Sequence, residues 1–230
     1  MRRKDVWYKE SVLTVIDDFM GSAAMPYLEF AQRRINVDIL YFGPENAGKS
    51  TNIRVLHEQM PETRRGGVSR VFLDAERVIF AKILGPRLDG YHVVFRLYGI
   101  DGPFQTMPDK ACRRLMECAD GFVFVADSTP GALDRNIRCF RNLMGILTGR
   151  RIPCKFTRSG EGAPVVVQWN KAERNDSLPF SRFLNHCGFR SRMSGASVMH
   201  ASAAERTGPY FTLRHCVNLM KLPQLYSLYV

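Results

Sequence analysis

Residues Gly43 to Ser50 read Gly-Pro-Glu-Asn-Ala-Gly-Lys-Ser, the pattern G-x-x-x-x-G-K-S. Glycines at these two places let the backbone curl until its N–H groups converge on phosphate oxygens, and a following helix adds positive potential at its N-terminus. Lys49 would reach the β- and γ-phosphates, and the Ser50 hydroxyl would ligate Mg²⁺. The candidate phosphate-binding set is therefore Gly43, Asn46, Ala47, Gly48, Lys49, Ser50 and Thr51. Four fixed identities arise by chance in roughly one per cent of chains this long. The alternative, a glycine turn with an incidental lysine, fits the context poorly. The loop follows a predicted strand, "VDILYF" (37–42), and opens a predicted helix.

Two later stretches bear on the base. "QWNKAER" ends an apolar run with Asn170, Lys171 and Glu173, and "HASAAE" ends the next with Ser202, Ala203 and Ala204. Guanine-binding proteins with a phosphate loop use N-K-x-D and S-A-K/x in these two places. A carboxylate there accepts hydrogen bonds from guanine N1–H and the 2-amino group, which adenine does not offer. Ala203 would give its backbone N–H to guanine O6. Glu173 replaces the usual aspartate, keeping the charge on a chain one methylene longer.

These residues need a scaffold, and the pattern supplies one. The chain has 230 residues, 45% apolar and 24% charged, enough for a sizeable core. "RVIFAKIL" (77–84) and "YHVVFRLY" (91–98), joined by a turn with Pro and Gly, predict an antiparallel hairpin. "GFVFVAD" (121–127), "PVVVQW" (164–169) and "SVMHASA" (197–203) predict further strands. Helices are predicted after the loop up to Pro61, near 109–118, over 132–147, from about 180 and from about 209. Alternation of this kind predicts an α/β fold: a mostly parallel sheet with helices on both faces and one antiparallel hairpin. Residues 1–30 form an N-terminal extension with room for a short helix. Residues 31–230 form the nucleotide-binding domain, with a basic insert at 149–163.

Composition narrows the function classes. The net charge is +11, but the basic residues come as scattered pairs, so a nucleic-acid track is not expected. An acidic partner surface or peripheral contact with an anionic membrane is compatible with that charge. No run approaches the roughly 18 apolar residues of a membrane span, and the N-terminus lacks a signal-peptide core. A cytoplasmic location is expected. Six cysteines form no C-x-x-C pair and five histidines no H-E-x-x-H, so free thiols are expected.

"RINVDILYFGPENAGKSTN", "FRLYGIDG", "GFVFVADS", "VVVQWNKAE" and "HASAAERTG" together resemble the bacterial MglA-type small GTPases, relatives of Ras. The resemblance covers about residues 28–220. It implies a Ras-like fold, binding of GTP or GDP with Mg²⁺, and a Roadblock-type partner that accelerates hydrolysis. In bacteria such proteins set cell polarity or motility.

The resemblance weakens where the γ-phosphate would be sensed. It implies that Arg77 stabilises charge on the transferring phosphate, unless Arg77 is simply a surface arginine. The threonine expected next is Val78, which cannot ligate a metal. Gly99 stands where most GTPases carry a metal-holding aspartate. Gly102 matches the glycine that senses the γ-phosphate, yet the water-orienting glutamine after it is Pro103, leaving Gln105 as a substitute. Asp101 either takes over a metal contact, biases the protein toward GDP, or is a solvated acid. Two functions therefore stand: a GTPase switch with slow intrinsic turnover, and a nucleotide-binding interaction module that has lost hydrolysis. An ATP-using enzyme is disfavoured by N-K-A-E followed by S-A-A.

Overall fold

In a computed structural model of the chain, residues 27–73, 76–101, 115–149, 164–187 and 197–220 are described. They hold one sheet, whose strands are β1 (Tyr27–Glu29), β2 (Arg34–Phe42), β3 (Arg65–Leu73), β4 (Glu76–Leu88), β5 (Tyr91–Asp101), β6 (Gly121–Asp127), β7 (Val165–Asn170) and β8 (Ser197–His200). The order across it is β3-β4-β5-β2-β6-β7-β8, and β1 pairs with β2. From β5 to β8 the pairing is parallel, and β4 and β5 form the expected hairpin. The architecture is a Ras-like α/β fold.

Burial follows from this order. β6 and β7 are buried at every residue, and β2 from Ile35 onward, as central strands with both faces covered must be. On one face Leu40, Phe42, Phe122 and Phe124 pack against Ile137, Phe140 and Leu143 of α2 (Leu133–Gly149) and Phe183 of α3 (Phe180–Cys187). The rings of Phe124 and Phe140 meet edge to face at 5.0 Å. On the other face Ile39, Tyr41, Val123 and Val125 meet Ile53 and Leu56 of α1 (Lys49–Gln59) and Leu213 and Cys216 of α4 (Pro209–Leu219). The three-residue spacing of Ile53 and Leu56 thus marks the inner stripe of α1, and Pro61 follows its end.

Two strands were not expected. β3 pairs antiparallel with β4, with a register shift between Arg65 and Val68. Its sequence, "RGGVSRVFL", opens on arginine and two glycines, which carry little strand signal. Pairing with β4 makes it a strand. Tyr27–Glu29, at the end of the stretch set apart as an extension, pairs antiparallel with the start of β2. The short helix considered for residues 1–30 lies otherwise outside the described residues, as does the basic insert beyond Gly149, where α2 ends. Of the helix expected near 109–118, residues 115–118 are described and helical.

The sheet also carries a buried charge pair. Arg96 of β5 donates to both carboxylate oxygens of Asp38 on β2, at 2.5 and 2.6 Å. Both residues are under 5% exposed, at 3% and 4%. Burial alone would lower the Arg96 pKa, but the Asp38 carboxylate more than offsets it and holds the guanidinium charged. Backbone bonds extend the pair to β6: the Asp38 N–H donates to an Asp120 carboxylate oxygen at 2.8 Å, and the Asp120 N–H to the Asp38 carbonyl at 2.7 Å. This exchange sets the point where β6 joins β2, one residue before Ile39 faces Gly121. Replacing Asp38→Ala removes the carboxylate that pairs with a buried guanidinium. Urea unfolding should show a loss of about 3–5 kcal/mol, the usual consequence of removing one partner of a buried pair.

Candidate nucleotide site

Parallel strands converge where the order of the sheet reverses. β2 pairs with β5 on one side and β6 on the other, so the loop leaving β2 at Gly43 opens into a crevice at the carboxyl ends of the strands. Gly43 is pressed against β6: a Cβ here would fall on the Val125 carbonyl oxygen. The loop then turns back, with the Ala47 N–H donating to Pro44 O at 3.2 Å and Asn46 at φ 61°. Gly48 caps α1 at φ 98°, a left-handed conformation suited to glycine, and a Cβ there would strike the Asn170 carboxamide. Lys49 is 1% exposed, and its ammonium folds back over the loop to the carbonyls of Gly43 and Pro44, at 3.0 and 2.8 Å. Ser50 and Thr51 follow in the first turn, both half-buried.

The base-side residues come to the same place. Asn170, 2% exposed at the end of β7, donates from Nδ2 to Ala47 O at 2.7 Å and accepts the Ala203 N–H at 3.1 Å. The Ala203 N–H, expected at guanine O6, thus already has Asn170 Oδ1 as acceptor. Ser202 shapes that loop by pairing its backbone with Thr207 and accepting the Glu205 N–H on its hydroxyl at 3.0 Å. Ala204 follows, exposed. Lys171, at φ 64°, reaches the Asp127 carboxylate at 2.7 Å. Glu173 carries a buried carboxylate oxygen, Oε2, with no hydrogen-bond partner. A buried acceptor without a donor is costly.

Several supporting residues were not singled out from sequence. Asn136 of α2 brackets Asp127, accepting its N–H at 3.0 Å and donating to its carbonyl at 2.7 Å. The Asp127 carboxylate oxygen not bonded to Lys171, Oδ1, accepts the Thr129 N–H and hydroxyl, at 3.0 and 2.9 Å. Gln168 and Asn52, both wholly buried, are hydrogen-bonded beneath the loop. Asn52 directly follows the loop motif and Gln168 lies one strand period before Asn170, so proximity in sequence was the available signal.

The metal side differs. Val78 is 1% exposed, paired with Ile100 and built into the core with Phe80 and Tyr98. Gly99, beside Tyr41, has no room for a side chain: a Cβ would lie 2.7 Å from Ile53 Cδ1 and 2.9 Å from Ile79 Cγ2. Of the positions expected to face Mg²⁺, Ser50 offers an oxygen, while Val78 and Gly99 offer none. Arg77 is exposed, registered with Asp101 at the end of the hairpin nearest the crevice. The side chain of Asp101, and Gly102, Pro103 and Gln105, lie outside the described residues.

Among the described residues no group of three or more His, Cys, Asp or Glu is placed to hold a metal ion. Cys139, Cys187 and Cys216 are free, and burial pushes their thiols up to about 12, so none is a thiolate near neutral pH. The crowding at Gly99 makes a direct prediction. Gly99→Asp, which restores the residue most GTPases carry, should lower stability by about 1–3 kcal/mol in thermal unfolding. An unchanged midpoint would mean that Ile53 and Ile79 yield freely.

No family model matches the chain. Among curated proteins, the mutual gliding-motility protein MglA of Myxococcus xanthus (strain DK1622) is 26% identical over 168 residues, covering 70% of this chain and 82% of that protein. In motifs, in fold and in this relative, the chain is similar to the MglA-type small GTPases.

Proposed function

We propose that this chain is a guanine-nucleotide-binding switch of the small GTPase kind, with slow intrinsic hydrolysis of GTP. The observation that carries the reading is the buried Asn170 carboxamide, which ties the phosphate loop to the loop after β8; Glu173, three residues on, would be the acceptor for guanine's donors. Asn46 to Thr51 would surround the phosphates, with Gly43 giving the loop its turn. Lys171, held by Asp127, would flank the base, and Ser202, Ala203 and Ala204 would form its rim. Mg²⁺, when bound, would neutralise phosphate charge, and Ser50 would hold it, with Asp101 as a second candidate.

Turnover is where this chain departs from the pattern. A water-orienting side chain is missing at Pro103, and a valine buried in the core stands at the metal-sensing position. The second reading, an interaction module without hydrolysis, draws on that buried Val78. A Roadblock-type partner would supply acceleration in the first reading and be the output in the second. The MglA relative motivates a role in bacterial cell polarity or motility. The expected site of action is the cytoplasm or a peripheral membrane or polar complex. Among the described residues no helix is long and apolar enough to cross a membrane.

Two measurements test this. Titration with GDP and ADP in Mg²⁺ should show at least a tenfold preference for guanine, about 1.4 kcal/mol, and Glu173→Ala should remove it. Equal affinities in the unsubstituted protein would refute guanine selectivity. In single-turnover assays the rate should be very slow and fall further in Arg77→Ala, by up to about a thousandfold if the arginine engages fully. Fast turnover would overturn the impaired-GTPase reading. Tight GTP binding with no turnover, even beside a partner, would favour the interaction module.

A further inference from the structure

Strand β7 holds the phosphate loop at a second place, through two residues that border the nucleotide motifs and were given no role in them. Gln168 Nε2–H donates to Asn52 Oδ1 at 2.5 Å. Asn52 Nδ2–H in turn donates to the Gly48 carbonyl at 2.9 Å, which also accepts the Asn52 backbone N–H at 2.9 Å. Gln168 and Asn52 are each 0% exposed. The amide oxygen of Gln168, Oε1, is buried with no partner. A leucine would fill this volume without that cost, so whatever the carboxamide contributes comes through the bond to Asn52.

The chain of bonds ends on a peptide plane that matters. In a trans peptide the N–H of one residue points opposite to the carbonyl before it. Fixing the Gly48 carbonyl toward Asn52 therefore aims the Lys49 N–H out of the helix N-terminus, toward the concave side of the loop. Asn170 fixes the Ala47 carbonyl in the same way and so aims the Gly48 N–H. Two successive donors are thereby set before any anion arrives. Without a ligand, converging N–H groups repel, and rotation of these peptides is the easiest relief; holding them removes that reorganisation from the binding step.

We infer that Gln168, acting through Asn52, is a positioning residue for the phosphate-binding loop. The strand that ends in the base-reading motif then also orients the donors that meet the phosphates. This rests on the reading of the loop as a nucleotide site, and it assigns Gln168 a role in phosphate affinity but none in base choice.

The test uses the full chain and two probes, GDP and inosine diphosphate, which lacks the 2-amino group. Gln168→Leu should weaken both by roughly tenfold, the scale of one hydrogen bond, leaving their ratio unchanged. Glu173→Ala, as the contrast, should change the ratio. If the effect runs through Asn52, the double variant Gln168→Leu/Asn52→Leu should bind GDP no more weakly than Asn52→Leu alone. Binding within twofold of the unsubstituted protein, a changed ratio, or losses that add in full would overturn the inference. Should Gln168→Leu not fold, Gln168→Met is read by the same criteria. An unsubstituted protein that binds neither probe refutes the nucleotide reading and this inference with it. Normal binding by Gln168→Leu refutes this inference alone.

Discussion

The Asn170 carboxamide ties its own strand to two stretches of chain that lie far apart in sequence. It ends β7, donates to the carbonyl of Ala47 in the loop after β2, and accepts the N–H of Ala203 in the loop after β8. Buried as it is, neither its donor nor its acceptor can turn to water, so both loops must come to it. Gly48 follows from the same constraint, because any side chain there would occupy the space of the amide. A glycine legible as a phosphate-loop signature is thus also a packing requirement imposed from another strand.

The crevice is held by polar groups that answer one another rather than by apolar packing. The Lys49 ammonium lies inside the protein on two carbonyls of its own loop. Asp127 is braced by Thr129 and by Asn136 of α2 before it meets Lys171. Below them two apolar layers, one on each face of the sheet, make the strands rigid enough for such bonds to have fixed lengths. The Asp38–Asp120 exchange serves the sheet from further down, by fixing where β6 starts beside β2. The register of β6 is what brings Val125 against Gly43 and Asp127 level with Asn170.

The two halves of the site differ in kind. The half built from β2, β6, β7 and β8 retains the elements expected to hold phosphates and base. The half built from the β4–β5 hairpin has exchanged polar positions for packing: Val78 is core, and Gly99 is closed off by Ile53 and Ile79. In the proposed function, binding and sensing of the γ-phosphate would rest on separate strands, so that one could change while the other stays. The two halves thus depend on different strands: one on the parallel strands, the other on the antiparallel hairpin.

Much of this was legible in the sequence for local reasons. A buried strand must be a short apolar run, and a phosphate loop must have glycine where the backbone turns and lysine where charge is needed, so β2, β6, β7, α1 and the loop itself could be read directly. The N-K-x-E and S-A-A stretches were legible as a pair because each closes such a run. What needed tertiary structure was whatever one segment imposes on another. β3 is a strand because β4 offers it a ladder, despite its glycines and arginines. Val78 could be read as a missing ligand, but its burial against Phe80 and Tyr98 appears only when the hairpin packs. Gln168 and Asn52 are ordinary polar residues in sequence; their bond exists because the end of β7 reaches the start of α1, and hydrogen bonds between distant segments leave no periodic trace.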